Sequence, residues 1–260
     1  EIETSPTGTG KPVILFIDTF NRFFEPENVR AAARVLKAAG YDVFAPLPND
    51  KGRPLCCGRT FLSTGLIKKA SIEASRLVDT LLPFVRNNIP IVGLEPSCTL
   101  ALRDEVLALI SNDAAEKIAK ATMTFEELLA RDKPNLPLKM STKTALLHGH
   151  CHQKAFGVVK PIEEVLSWIR GLKIQTIDSS CCGMAGAFGY NKETYKVSIA
   201  MANAGLLPEI KSSSPDNLII ADGISCRCQI KDNTSRNPQH AAVTLDNHLD
   251  HAMLSNSGFR

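Results

Sequence analysis

The sequence lacks three features that would each point to a particular class of protein. None of its apolar runs approaches the roughly 18 residues that a membrane-spanning helix needs. It has no strong excess of one charge, because the formal net charge is +3 and acidic residues alternate with basic ones. It also shows no secretory signal. We therefore expect no membrane insertion and no nucleic-acid partner. A cytoplasmic location is predicted, with peripheral attachment to the inner membrane through other domains left open.

The composition is that of an ordinary globular protein, with 44% hydrophobic and 22% charged residues. A chain of 260 residues more naturally forms two units of about 130 residues than one. The chain begins at Glu1 without a methionine, and residues 1–12 are rich in Ser, Thr, Gly and Pro. We expect this segment to be the remnant of a linker within a longer polypeptide.

The most informative feature present is the arrangement of the eight cysteines. A Cys-Cys-Gly triplet occurs in each half of the chain, at 56–58 and at 181–183. Each triplet is followed, later in the same half, by a Ser-Cys pair that ends at Cys98 or Cys226. Adjacent cysteines in glycine-containing turns of a chain this large favour metal or redox chemistry over a disulfide framework. The cysteine pattern therefore indicates a duplicated metal or redox unit.

Apolar runs alternate with helical patterns along both halves. This alternation predicts an α/β fold of two pseudo-repeated units, each a mostly parallel sheet flanked by helices, with the cysteine loops at the carboxyl ends of strands. The predicted strands are 13–17, 41–45, 91–94, 145–147, 174–177 and 218–221. The predicted helices are 28–39, 66–87, 100–110, 111–128, 162–169 and 192–206.

The segment 131–142 is the best candidate for a connection between the units, because it contains Pro134, Pro137 and several lysines. It places the first unit at residues 13–133 and the second at residues 134–260.

In the second half, four cysteines each follow a predicted strand and are expected to converge at one edge of the sheet. Four thiolates from three loops are able to hold zinc or an iron-sulfur cluster. The alternative, that they are small buried hydrophobic residues, is less favoured because two consecutive side chains rarely both point into a core. Gly183 would let the loop turn both thiols to one side. The candidate ligands are Cys151, Cys181, Cys182 and Cys226.

Other polar residues near these cysteines are given supporting roles. His148, His150 and His152 flank Cys151, and the favoured interpretation is that they form hydrogen bonds in the loop rather than bind the metal directly. Cys228 lies two residues beyond Cys226, where a helix would turn its side chain away from the site.

The first half carries a weaker version of the same pattern. It has Cys56, Cys57 and Cys98, but no cysteine in residues 16–20, where the second half supplies its leading cysteine. Three thiols remain, so we predict a weaker second site there.

Three segments of the chain form a distinctive set: 95–105, Leu147-His148-Gly149-His150-Cys151-His152, and Asp178-Ser179-Ser180-Cys181-Cys182-Gly183-Met184-Ala185-Gly186. With these segments the chain resembles the CCG, or cysteine-rich, domain family. Such domain pairs occur in one of the subunits of heterodisulfide reductase, in the iron-sulfur subunits of glycolate oxidase and anaerobic glycerol-3-phosphate dehydrogenase, and in the C-terminal part of large FAD-linked oxidases of D-2-hydroxy acids such as D-lactate and D-2-hydroxyglutarate. A further segment, 18–26, most resembles this last group.

The resemblance implies that a complete motif binds a noncubane [4Fe-4S] cluster or, in some members, zinc. Gly223 stands where the family has the first cysteine of its final pair, so the second motif lacks one thiol. The first motif has Thr19 or Phe20 in place of its leading cysteine and Glu95 in place of a further one.

The resemblance also implies a function. The chain would be a redox module that relays electrons from 2-hydroxy-acid oxidation to an acceptor, beside FAD-binding and ferredoxin-like domains of the same polypeptide. FAD would be bound only by those other domains, and the resemblance assigns no catalytic residue to this chain. Two alternatives stay open: a structural or docking module with a zinc or metal-free cysteine site, and direct dithiol-disulfide chemistry through Cys151 or Cys226.

Overall fold

A computed structural model describes residues 2–250 and 252–253. The chain divides into two compact units, Glu1–Leu136 and Pro137–Arg260. None of the helices in the described residues is both long and apolar enough to cross a lipid bilayer.

The first unit alternates strands with helices and contains a sheet of four strands. All three strand pairings are parallel, and the order across the sheet is β2-β1-β3-β4. The strands are β1 (Lys11–Phe16), β2 (Tyr41–Phe44), β3 (Ile91–Gly93) and β4 (Thr122–Thr124). The helices are α1 (Thr19–Phe23), α2 (Pro26–Ala38), α3 (Arg59–Ser63), α4 (Ile67–Val85), α5 (Pro96–Thr99), α6 (Glu105–Leu109), α7 (Asp113–Ala121) and α8 (Phe125–Asp132).

Two helix predictions for this unit are wrong in detail. The predicted helix 100–110 is split into a 3-10 turn at Leu100–Arg103 and helix α6. The predicted helix 111–128 is interrupted by β4, which pairs with β3 through Ile91 and Thr122. The edge strand was missed because three residues between two helical patterns are too few to show a strand period. Thr124 then caps α8 by accepting a hydrogen bond from the backbone N–H of Glu127.

The second unit has three parallel strands in the order β6-β5-β7. Its predicted helix 192–206 corresponds to the helix Tyr195–Asn203, and a further helix that was not predicted begins at Leu206, after Gly205. The strands are β5 (Thr144–Leu147), β6 (Lys173–Thr176) and β7 (Leu218–Ile220). The helices are α9 (Cys151–Ala155), α10 (Val159–Ser167), α11 (Tyr195–Asn203), α12 (Leu206–Ser212), α13 (Ile224–Asn233) and α14 (Ala241–Asn247).

The two sheets repeat one arrangement, which confirms the predicted fold class. In each unit the first strand is central, the second lies on one side of it, and the third lies on the other. Because all of these strands are parallel, the loops that follow them meet at one edge of each sheet. In both units the Cys-Cys-Gly triplet follows the second strand, and the Ser-Cys pair lies in the helix that follows the third.

Each triplet ends in a glycine that fits only without a side chain. Gly58 has φ +81° and Gly183 has φ +86°, a left-handed conformation that favours glycine. A Cβ atom at Gly58 would lie 2.8 Å from the carbonyl oxygen of Ala70 in α4. A Cβ atom at Gly183 would collide with the carbonyl oxygen of Ser198 in α11. Each cysteine loop therefore packs against helix backbone, with no space for a larger residue.

Replacing Gly183 by Ala should destabilise the second unit much more than Gly157→Ala does. Both glycines have positive φ, which costs an alanine about 1–2 kcal/mol, but no described atom lies within 4 Å of the Cβ position of Gly157. The collision with Ser198 should add about 1–3 kcal/mol. Urea denaturation of the two variants measures the difference. Equal losses would show that the loop does not depend on this close contact.

Candidate metal centre

The structure brings the four predicted cysteines of the second unit to one edge of its sheet. Cys151 is the first residue of α9, which follows β5. Cys181 and Cys182 lie in the loop after β6, and Cys226 lies in the first turn of α13, after β7. Three loops therefore deliver four thiols, as the alternation of strands and helices predicted.

The four thiols form a continuous line. Cys151 is in hydrogen-bonding contact with Cys181, and Cys181 with its neighbour Cys182. Cys182 in turn contacts Cys226. The line runs from Cys151, which is exposed, to Cys226, which is fully buried.

The contacts along the line separate the thiols into two kinds. Contacts with Cys151 and Cys182 lower the pKa of Cys181, and the backbone N–H of Gly183, 3.3 Å from its Sγ, acts in the same direction. The contact with Cys182 and the nearby His148 and His150 lower the pKa of Cys226. The contact with Cys181 raises the pKa of Cys151, and the contacts with Cys181 and Cys226 raise that of Cys182. The N–H of Gly183 and the nearby imidazoles favour ionisation within the line.

His148 lies at the buried end of the line. One ring nitrogen of His148 and the Sγ atoms of Cys182 and Cys226 all lie within 4.8 Å of one another. Its Nδ1 is 2.9 Å from Oγ of Ser179, while its Nε2 is buried and has no hydrogen-bond partner among the described residues.

The sequence interpretation gave the three histidines hydrogen-bonding roles in the loop, and it did not predict that His148 lies beside Cys182 and Cys226. The strand ends at Leu147, so strand alternation does not set the direction of the His148 side chain.

His150 has a different role, because it caps α9. Its Nδ1 accepts a hydrogen bond from the backbone N–H of His152 at 3.2 Å, and its own N–H donates to Oε1 of Gln153 at 3.0 Å. A Cβ atom at Gly223 would collide with Cδ2 of His150. The ring of His150 thus fills the space beside the position at which the resemblance expects a fifth cysteine.

Lys154 connects α9 to the cysteine loop. Its Nζ donates hydrogen bonds to the carbonyl oxygens of Ser179 and Ser180, the latter at 2.9 Å. Burial lowers its pKa, and the neighbouring thiols Cys226, Cys151 and Cys181 oppose that shift. The ammonium group is therefore close enough to the thiols to stabilise their ionised forms.

Cys228 does not take part in the line of thiols. It is half-buried and lies against the phenol of Tyr190. Burial and this neighbour raise the pKa of Tyr190 to about 12.

In the first unit, Cys56, Cys57 and Cys98 form a shorter line of the same kind. Cys57 is in hydrogen-bonding contact with both Cys56 and Cys98. The backbone N–H of Gly58 lies 3.5 Å from the Sγ of Cys56, as that of Gly183 does for Cys181. Thr19 is the first residue of α1, the place that Cys151 holds in α9, and its side chain contacts Cys56. Thr19 rather than Phe20 therefore takes the position of the leading cysteine.

The polar groups around the two lines of thiols differ in kind. Asp18 and Glu95 are buried in the first unit. The pKa of Cys98 is raised to about 11, because its contact with Cys57, which lowers the pKa, is outweighed by burial and by these two carboxylates. In the second unit the corresponding neighbours are two imidazoles and the ammonium group of Lys154. Thiolates, which are the metal-binding form of cysteine, are favoured only in the second unit.

Comparison with known proteins agrees with this geometry. Residues 146–231 match the model of the cysteine-rich domain called CCG. Over 237 residues the chain is 32% identical to a subunit of the anaerobic glycerol-3-phosphate dehydrogenase of Escherichia coli K12, covering 90% of this chain and 58% of that protein. Over 243 residues it is 28% identical to the D-2-hydroxyglutarate dehydrogenase of Pseudomonas putida, covering 92% of this chain and 22% of that protein.

The matched region of residues 146–231 contains the complete line of thiols in the second unit. The similarity to the two dehydrogenase proteins extends over both units, since it covers at least 90% of the chain. The chain itself spans little more than half of the first relative and about a fifth of the second. The second unit of this chain is therefore similar to the cysteine-rich CCG domain over residues 146–231.

Proposed function

We propose that this chain is an electron-transfer module of a larger FAD-linked dehydrogenase, and that its second unit holds an iron-sulfur cluster. Cys151, Cys181, Cys182 and Cys226 would be the ligands. The observation that carries the proposal is the continuous line of these four thiols, with basic groups beside it.

The shape of the line supports a cluster over a single ion held by all four cysteines. A tetrahedral zinc ion has Zn–S distances of about 2.3 Å and therefore needs all its ligand atoms close to one another. In the part of the chain that the structure describes, the compact group at this edge is His148, Cys182 and Cys226, and the sulfurs of Cys151 and Cys181 lie outside it. An extended row of thiols suits a group that contains several metal ions.

When bound, an iron-sulfur cluster would accept and release single electrons. The surrounding residues would set how readily it does so. The N–H of Gly183 donates to the Cys181 sulfur, and Lys154 places a positive charge beside the loop. Both stabilise negative charge on the ligands, which favours the reduced state and raises the reduction potential.

Oxidation of the substrate would take place elsewhere in the polypeptide. The matched relatives are named for glycerol 3-phosphate and for D-2-hydroxyglutarate, both small hydroxylated anions. We propose a 2-hydroxy acid as the electron source here, with FAD-binding and ferredoxin-like domains as partners and a cytoplasmic location. The second unit would then relay the electrons to an acceptor.

Optical and EPR spectroscopy on anaerobically purified or reconstituted chain tests the cluster. We expect a visible absorption band that bleaches on reduction, and iron and sulfide in similar amounts. A colourless chain that takes up no iron on reconstitution would overturn the proposal.

A structural zinc module is the second candidate, and one observation favours it. His148, Cys182 and Cys226 form a compact three-ligand group of the kind that binds one zinc ion. Elemental analysis together with a redox titration separates the two candidates. One firmly held zinc ion, no iron and no redox response would support the structural role.

Cys182→Ser should remove most of the bound metal, because Cys182 is in the middle of the line and contacts both neighbours. Cys228→Ser should leave the metal content nearly unchanged, since Cys228 lies against Tyr190 instead. The metal content per chain, measured by elemental analysis, checks both predictions. Cys151→Ser is a second variant of a proposed ligand, and its folding should be little affected because Cys151 is exposed. Equal metal retention in the Cys182 and Cys228 variants would show that the ligand set is wrong.

Cys57→Ser should leave the metal content unchanged, although Cys57 is the first-unit counterpart of Cys182. Only three thiols are present there, and buried Asp18 and Glu95 oppose their ionisation. The wild-type chain should therefore hold one metal group rather than two, as counted by iron and sulfide analysis. A halved iron content in Cys57→Ser would instead place a second cluster in the first unit.

A further inference from the structure

The imidazole of His148 is buried at the candidate centre, and one of its two ring nitrogens is not paired like the other. The side chain is 1% exposed, and its Nε2 makes no hydrogen bond of ordinary geometry in the described part of the chain, although the ring lies near enough to the thiol of Cys226 to lower the pKa of that thiol. Leaving a buried polar atom unpaired costs about 1–3 kcal/mol, so such atoms usually have a partner when the protein functions. Here the nearest candidates are the sulfurs of Cys182 and Cys226, which together with the ring nitrogen fall within 4.8 Å.

The other ring nitrogen of His148 is held in place. Nδ1 lies 2.9 Å from Oγ of Ser179, in the residues that lead into the Cys-Cys-Gly turn. This hydrogen bond orients the ring, and when Nδ1–H donates to Oγ of Ser179 the lone pair of Nε2 is available for a metal ion. This is the usual arrangement around a histidine that binds metal.

We infer that His148 is a metal ligand through Nε2, and that His148, Cys182 and Cys226 form a three-donor site with one nitrogen and two sulfurs. The inference rests on the proposed function only in that the second unit binds metal, and it does not require the metal to be iron. Imidazole and thiolate together suit zinc and related transition-metal ions. Cys181 and Cys151 then lie further out along the same line.

The first unit provides a comparison within the same chain. Two residues, Ile17 and Asp18, connect β1 to α1, whereas His148, Gly149 and His150 connect β5 to α9. The longer loop of the second unit supplies the imidazole, and the first unit has no histidine at this point. The nitrogen ligand is therefore a property of the second unit alone.

Zinc binding to the metal-free chain tests the inference without an iron-sulfur cluster. Zn²⁺ affinity is measured anaerobically by competition with a chelator in the wild-type chain, in His148→Gln and in His152→Gln. His148→Gln should weaken binding by at least about tenfold, because loss of even a supporting partner of a ligand costs about 10–100-fold. His152→Gln should stay within about twofold, since His152 lies outside the three-ligand group.

X-ray absorption spectroscopy on the zinc-loaded wild-type chain gives a second test, which does not depend on the folding of any variant. We expect a nitrogen shell at about 2.0–2.1 Å beside sulfur at about 2.3 Å. A pure sulfur shell, a wild-type chain that binds no zinc, or unchanged zinc affinity in a folded His148→Gln would each overturn the inference. A chain that binds zinc through His148 but never takes up iron would refute the proposed iron-sulfur function and leave this inference standing.

Discussion

The second unit depends on contacts between thiols that come from three separate loops. Such contacts become possible because parallel strands end at one edge of a sheet, so residues distant in sequence meet there. Cys151, Cys182 and Cys226 follow different strands, yet their side chains belong to one line. Gly183 permits this arrangement by allowing its loop to approach the backbone of α11 at Ser198.

The two units share a fold but differ in the electrostatic surroundings of their cysteines. Both have a glycine with positive φ after the cysteine pair, and in both its N–H points to the first sulfur of the pair. The first unit places carboxylates near its thiols and has Thr19 at the leading position. The second places imidazoles and an ammonium group there. A duplicated scaffold has therefore kept its geometry while its capacity to hold anionic ligands has diverged.

Sequence reasoning predicted the fold class, because the alternation of buried strands with amphipathic helices is strong in both halves. It also identified the four cysteines that the structure brings together. It missed β4, since a strand of three residues shows no period, and it misjudged where helices are interrupted. It did not place His148 beside Cys182 and Cys226, because the direction of a side chain after the end of a strand depends on the loop, which the residue pattern does not determine.

The line of thiols has one end at the surface and the other in the core. Cys151 is exposed, whereas Cys182 and Cys226 are buried. Peroxide reacts with thiolates rather than with thiols, and the contact with Cys181 raises the pKa of Cys151. The most accessible sulfur of the line is therefore also one whose ionisation is disfavoured, which slows its oxidation.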